Sequence, residues 1–163
     1  MNKLIKFIAS YMAVLFLFIG ISSCSGNSDE AQSIEFVSKS NSGCKNTVEK
    51  NGMQLKSNAY SESIKCKTLE NGGLLITHAN ASFSCEQESV LTSVETKDNI
   101  IIVIDKQEFS KTNCICFYDM YYTVTGLEEG RKYTVVIMTG SSEKGRLAFV
   151  YNSSLETVKE IEK

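Results

Sequence analysis

Two stretches of sequence decide the fold of this chain: IIIVI at residues 100–104 and CICFYDMYYTV at residues 114–124. Both consist mainly of β-branched and aromatic residues, which favour strands over helices. The unbroken apolar run at residues 100–104 predicts a central strand that is covered on both faces. In the longer stretch successive side chains point to opposite sides, so the even-numbered positions from Cys114 to Val124 share one face.

Turn signals divide the rest of the chain into further strands of similar length. The sequence ENGG at residues 70–73, for example, contains two glycines that accept a positive φ between two apolar runs. Hairpins are predicted in this way over residues 60–79, 90–105 and 132–151. About seven strands with turns every 8 to 12 residues and no strong internal helix predict an all-β fold, a single antiparallel β-sandwich.

The last residues of the chain allow two interpretations. Leu155, Val158 and Ile161 are spaced by three, and they follow a capping box formed by Ser153 and Glu156. This pattern predicts a short C-terminal helix. A terminal strand is the alternative.

One local motif narrows the type of sandwich. The sequence LEEGRKYTV at residues 127–135 resembles the entrance to the sixth strand of fibronectin type III domains, where Leu, Gly and Tyr recur at this spacing. The resemblance implies an immunoglobulin-like sandwich in which the hydroxyl of Tyr133 bonds back to the backbone at a corner between the sheets. The chain contains no Trp and no Pro, although both are typical of that family, so the resemblance extends to the immunoglobulin-like architecture and no further.

Residues 1–23 are typical of an export signal. Lys3 and Lys6 precede an apolar stretch over residues 7–20 that only Ser10 interrupts, and this stretch is too short to cross a hydrocarbon core of about 30 Å. It is followed by ISSC at residues 21–24, which resembles the bacterial lipobox, in which the cysteine is acylated before cleavage. The resemblance implies that Cys24 becomes the lipidated N-terminus. In the alternative, an ordinary signal peptide, Cys24 would be one more disulfide partner.

The lipidated Cys24 and the residues after it indicate where in the cell the protein is located. Each buried CH₂ of an acyl chain contributes about 0.8 kcal/mol, so several chains would anchor the protein permanently to a membrane. The sequence SGNSDE at residues 25–30 resembles the start of lipoproteins from gut Gram-negative anaerobes, in which acidic residues accompany export to the outer surface. We expect a lipid anchor in the outer membrane of the cell envelope, on its periplasmic or its surface face.

The composition of the mature chain predicts a tether followed by a folded domain, and it argues against a nucleic-acid partner. Residues 24–43 are rich in Ser, Asn and Gly and predict a flexible tether, so the folded domain is expected at residues 44–163. Cleavage after residue 23 removes two lysines and shifts the formal net charge from −2 to −4. Because no Lys/Arg cluster is present, we expect no nucleic-acid partner, and a protein or glycan ligand is the expectation instead.

Five cysteines follow the lipobox: Cys44, Cys66, Cys85, Cys114 and Cys116. Outside the cytosol disulfides persist, so two bridges and one remaining thiol are expected. Cys114 and Cys116 would project from the same face of one strand, and each should reach a different partner. The expected arrangement joins Cys85 to one of them and Cys44 to Cys66.

A metal site is the alternative use of these residues. His78, Cys85, Cys114 and Cys116 could supply one imidazole and three thiolates to tetrahedral Zn²⁺. No C-x-x-C pair is present, so disulfides and no cofactor are the main expectation. His78 shares a strand face with two aliphatic residues and is expected to be a half-buried structural residue. A Cys/His nucleophile pair would need an adjacent thiolate and an oxyanion site, and the sequence indicates neither.

The opposite face of the 114–124 strand suggests a ligand platform. Phe117 and Tyr121 could stack on sugars or peptide, and Asp119 could accept a hydrogen bond, although aromatic residues in strands are more often packed in the core. No catalytic motif is present, and no spacing singles out a pair of acids for glycoside hydrolysis. The leading hypothesis is a non-enzymatic lipoprotein that binds a ligand or serves as a structural module. A metal- or thiol-dependent protein is the alternative, and a hydrolase has the least support.

Overall fold

The structure, a computed structural model, describes residues 33–45, 47–49, 61–108 and 113–161. They belong to one compact unit, Gln32–Lys163, and none of them is in an α-helix. The strands are β1 (Glu35–Asn41), β2 (Thr47–Glu49), β3 (Ser63–Thr68), β4 (Leu74–Ser84), β5 (Val90–Lys97), β6 (Ile100–Gln107), β7 (Cys114–Thr125), β8 (Lys132–Thr139), β9 (Ser142–Val150) and β10 (Glu156–Glu160). The predicted signal peptide and the lipidated Cys24 lie outside the described residues. In the part of the chain that is described, no helix is long and apolar enough to cross a membrane.

The strands form two sheets, which confirms the predicted all-β sandwich. The six-stranded sheet has the order β1-β7-β4-β3-β10, with β2 also paired to β7, and the four-stranded sheet has the order β5-β6-β8-β9. All three predicted hairpins are present as the antiparallel pairs β3–β4, β5–β6 and β8–β9. One pair departs from the antiparallel expectation, because β6 and β8 are parallel. The chain crosses to the other sheet as β7 between them, so β8 re-enters the sheet in the direction of β6.

The core lies between the two sheets, and β7 supplies much of it. As predicted, its even-numbered positions share a face: Cys116, Tyr118, Met120, Tyr122 and Val124 are buried. In β6, Ile101 and Val103 are buried in the same core. The expectation that β6 is covered on both faces is wrong, since on its outer side Ile100 is 40% exposed and Ile102 and Ile104 are only partly buried.

Both ends of the domain extend the six-stranded sheet. Residues 35–41, expected within the flexible tether, form β1 and pair with β7. The C-terminal segment forms β10 and pairs with β3, so the alternative of a terminal strand is found and the short helix is not. An edge strand presents unpaired N–H and C=O groups, and pairing β10 with β3 satisfies them along one side of β3. Both segments form strands because their backbone N–H and C=O groups bond to a neighbouring strand, and side-chain spacing does not indicate these bonds.

The contact implied by the fibronectin resemblance is present. The Glu128 backbone N–H donates to the Tyr133 hydroxyl over 2.9 Å, and Tyr133 is buried. The bond holds the 127–132 connection against the start of β8. The same corner is closed by the Gly130 N–H, which donates to the Tyr151 carbonyl over 2.8 Å.

Candidate functional site

Two disulfides hold the N-terminal part of the domain to β7. Cys85 is bonded to Cys114, as expected for one bridge, with their Cα atoms 5.5 Å apart. The expected Cys44–Cys66 bridge is wrong, because Cys44 is bonded to Cys116 and Cys66 is the free, buried thiol. The chain at Cys44 runs beside β7, whereas Cys66 lies on β3, and both β7 and β4 lie between the two cysteines in the sheet. At about 4.8 Å per strand spacing, that distance is too great for a bridge.

The proposed metal ligands are not brought together as ligands. Cys85, Cys114 and Cys116 are all in disulfides, and a bridged sulfur has no thiolate to offer a metal. Across the described residues, no group of three or more His, Cys, Asp or Glu side chains is arranged to hold an ion. His78 is only 1% exposed, more buried than predicted, and its Nε2 lies 2.6 Å from Glu62 Oε1.

The remaining thiol is also unsuited to nucleophilic chemistry. Cys66 lies in the core, and burial raises the pKa of its thiol to about 12. At neutral pH the group is therefore a protonated thiol, whereas the thiolate is the reactive form. A Cys/His nucleophile pair has no thiolate among the described residues.

A groove of about 660 Å³ opens on the outer face of the six-stranded sheet. The groove is deep where the side chains are small. In one row across the sheet, β10, β3 and β4 place Glu160, Ser63 and Ala79 side by side. Ser63 and Ala79 are small and buried, while long side chains such as Lys65 and Lys45 rise around them. The lining carries both signs of charge, from Lys45, Lys65, Lys67, Asp119, Glu156 and Glu160.

A β-bulge shapes part of the lining of this groove. Between His78 and Ala81 the register of β4 against β7 shifts by one residue, and Asn80 adopts a positive φ of 56°. This conformation directs the Asn80 N–H to Asp119 Oδ1 over 3.0 Å. Bulges of this kind re-aim side chains and are frequent next to functional sites.

Lys45 completes the polar cluster at the bulge. Its ammonium donates to Asp119 Oδ1 over 2.9 Å and to Asn80 Oδ1 over 2.7 Å. Partial burial opposes ionisation of Asp119, but the hydrogen bonds from Lys45 and from the Asn80 amide prevail and hold the pKa of its carboxyl below the usual range. Asp119 is therefore an ionised, positioned acceptor at neutral pH. The Cys44–Cys116 bridge, one residue before Lys45, fixes this lysine beside β7.

The structure places the three predicted platform residues on the outer face of β7, each half-buried. Asp119 lines the groove. Tyr121 is paired with Thr77, which also lines it, whereas Phe117 lies farther along, opposite Ser82. Sequence reasoning missed the contributions of β3 and β4, although the alternation of polar residues along both strands carries a signal for an outward-facing polar surface. The bulge at Asn80 has no such signal in the sequence.

A second polar cluster lies between the sheets, and sequence reasoning missed it as well. Asp105, fully buried on β6, accepts hydrogen bonds from the Tyr122 hydroxyl on β7 and from Thr92 Oγ1 on β5. Burial, with Asp105 nearby, raises the pKa of Tyr122 well above its usual range. Lys39 on β1 donates to the Val90 carbonyl over 2.5 Å, and burial lowers the pKa of its ammonium. These contacts join the two sheets inside the core.

The fold and the groove together define a disulfide-stabilised β-sandwich with a polar groove on the outer face of one sheet. No protein-family model, no curated protein and no solved structure matches the chain.

Proposed function

We propose that this protein is a lipid-anchored module of the bacterial cell envelope that binds a protein or glycan ligand in the groove of its six-stranded sheet. The observation that carries the proposal is the hydrogen-bonded cluster of Asp119, Lys45 and Asn80 in the lining of the groove. A bulge with a left-handed Asn costs free energy unless the surroundings compensate, and such features are concentrated at ligand sites.

The chemistry of the groove favours binding of an extended polar ligand. The cluster offers an ionised carboxylate and an ammonium group, and the row through Lys65, Thr77 and Tyr121 adds a second ammonium, a hydroxyl and an aromatic ring. Strands and a disulfide fix these groups before any ligand arrives, so little conformational entropy is lost on binding. The absence of tryptophan favours recognition by hydrogen bonds and charge over stacking on a sugar ring.

Variants of the groove test this role. The labelled soluble domain, residues 25–163, would be applied to arrays of bacterial glycans and of peptides from envelope proteins. For any ligand found, Thr77→Arg, which fills the floor, is expected to weaken binding at least tenfold, or about 1.4 kcal/mol. Asp119→Asn should also weaken it because the carboxylate charge is lost.

Glu70→Lys is the matched control, since Glu70 lies in an exposed turn and does not line the groove. Its binding should equal that of the wild type. Ligand affinity that Thr77→Arg leaves unchanged would contradict the groove as the site. A lack of binding on both arrays would contradict the proposed binding role.

The anchor is supported by the lipobox resemblance and by the two disulfides, which suit an oxidising, extracytoplasmic location. Expression of the full chain with an alkyne-bearing fatty acid should label the wild type in the membrane fraction. Cys24→Ser should abolish the label and release the protein, because acyl chains supply the affinity for the membrane. Retention of a labelled Cys24→Ser protein in the membrane would contradict the anchor, and proteinase digestion of intact cells separates the surface from the periplasmic face.

A further inference from the structure

The outer face of the four-stranded sheet carries a strip of apolar side chains, several of which are exposed. Inward-pointing Ile101, Val103 and Ile137 are fully buried, so by alternation their neighbours point outward. The outward-pointing apolar side chains are Ile100, Ile102, Ile104, Val136, Met138, Ala148 and Val150, of which Val136 is only 7% exposed. Ile100 is 40% exposed, and Leu91 at one corner of the face is 55% exposed. A contiguous apolar surface of this kind marks an interaction site.

Charges of opposite sign flank the strip at its middle row. The register places Glu95, Ile102, Val136 and Arg146 side by side across β5, β6, β8 and β9. Glu95 and Arg146 are exposed at opposite edges of the sheet. Arg146 pairs with Glu143 over 2.6 Å, whereas Glu95 has no ion-pair partner among the residues that the structure describes.

We propose that this face binds a second copy of the chain, with the two-fold axis parallel to the strands. Such a rotation exchanges the edges of the sheet and keeps each row in place. Glu95 of each copy then lies opposite Arg146 of the other, and Ile102 packs against Val136. A two-fold axis across the strands through the same row would instead oppose Glu95 to Glu95 and Arg146 to Arg146. The arrangement with the axis parallel to the strands is self-complementary, as an isologous interface must be.

The size of the face sets the strength of the expected dimer. Four strands spaced by about 4.8 Å, each of about eight residues rising 3.3 Å per residue, present about 500 Å² per copy. Two copies together bury about 1,000 Å², which is the lower limit for a specific interface. We therefore expect a weak dimer, with a Kd on the order of 100 μM.

Sedimentation velocity of residues 25–163, exported to an oxidising compartment and studied from about 5 to 500 μM, tests the proposal. Both sheets, the core and both disulfides lie within the compact unit Gln32–Lys163, so this fragment contains the whole described fold. The wild type should show a monomer–dimer equilibrium. Glu95→Arg should weaken it at least tenfold, because one substitution places like charges at two symmetry-related contacts.

Swapping the charges of Glu95 and Arg146 distinguishes this interface from any other dimer contact. Arg146→Glu alone should also weaken the dimer, and Glu95→Arg combined with Arg146→Glu should restore it to within about threefold of the wild type. The matched control is Glu128→Arg, which reverses an exposed charge of the Arg131 ion pair in the connection between β7 and β8 and should change nothing. A wild type that is monomeric throughout, a dimer insensitive to Glu95→Arg, or a double variant that stays as weak as the single variants would each overturn the proposal.

Discussion

Replacement of Cys44 and Cys116 together by alanine is expected to lower the free energy of unfolding by about 4 kcal/mol. The bridge spans 72 residues, and its main effect is to restrict the unfolded chain. The Cys85–Cys114 bridge spans 29 residues, and its removal by the same double replacement should cost about 3.5 kcal/mol. Loss of the bridge that closes the longer loop should lower the free energy of unfolding more, because the entropy cost of loop closure grows with the logarithm of loop length.

Urea denaturation followed by circular dichroism measures both values. Double replacements are needed because a single one leaves an unpaired thiol that can exchange with the other bridge. The reduced wild type, which loses both bridges, should be less stable than either double variant. A Cys44/Cys116 variant as stable as the wild type would show that the bridge adds nothing to the fold, and it would also remove the reason for placing Lys45 rigidly at the groove.

The parts of this fold that follow from local pattern could be predicted from the sequence. The buried face of β7 results from strict alternation, and the hairpins result from glycine and polar turns between apolar runs. The Tyr133 corner depends on residues within nine positions of one another, so its motif is visible in the chain. In each case the interacting residues are neighbours in sequence, and the pattern records their contact.

The remaining features depend on which strands meet, and local pattern does not record that. The parallel pairing of β6 with β8 arises from the crossover through β7, and the Cys44–Cys116 bond arises from where the chain before β2 runs. The groove likewise needs β10, β3 and β4 to be adjacent before Ser63 and Ala79 can form its floor. The platform residue Asp119 was identified, but its partners Lys45 and Asn80 lie 74 and 39 positions away.

Replacement of Asp105 by alanine should lower the free energy of unfolding by about 3 kcal/mol. The carboxyl is fully buried and accepts hydrogen bonds from Tyr122 and Thr92. Its removal leaves the buried Tyr122 hydroxyl and the half-buried Thr92 hydroxyl without their acceptor, and an unsatisfied buried group costs about 1–3 kcal/mol. Asp105→Asn keeps the shape and one acceptor oxygen and should cost about half as much. Tyr122→Phe, which removes only the hydroxyl, should cost about 1 kcal/mol.

A double-mutant cycle with a pH series tests the cause of this loss. Asp105→Ala combined with Tyr122→Phe should cost less than the sum of the single variants, since the orphaned hydroxyl is gone. The raised pKa of Tyr122 means that the folded state keeps this proton while the unfolded chain releases it above about pH 10. Stability therefore falls as the pH rises beyond that value, and it should fall less steeply in Tyr122→Phe. The free-energy losses of the single variants could instead be additive, with the stability of Tyr122→Phe falling at alkaline pH as steeply as that of the wild type. That result would show that the Asp105–Tyr122 hydrogen bond does not stabilise the packing of the two sheets.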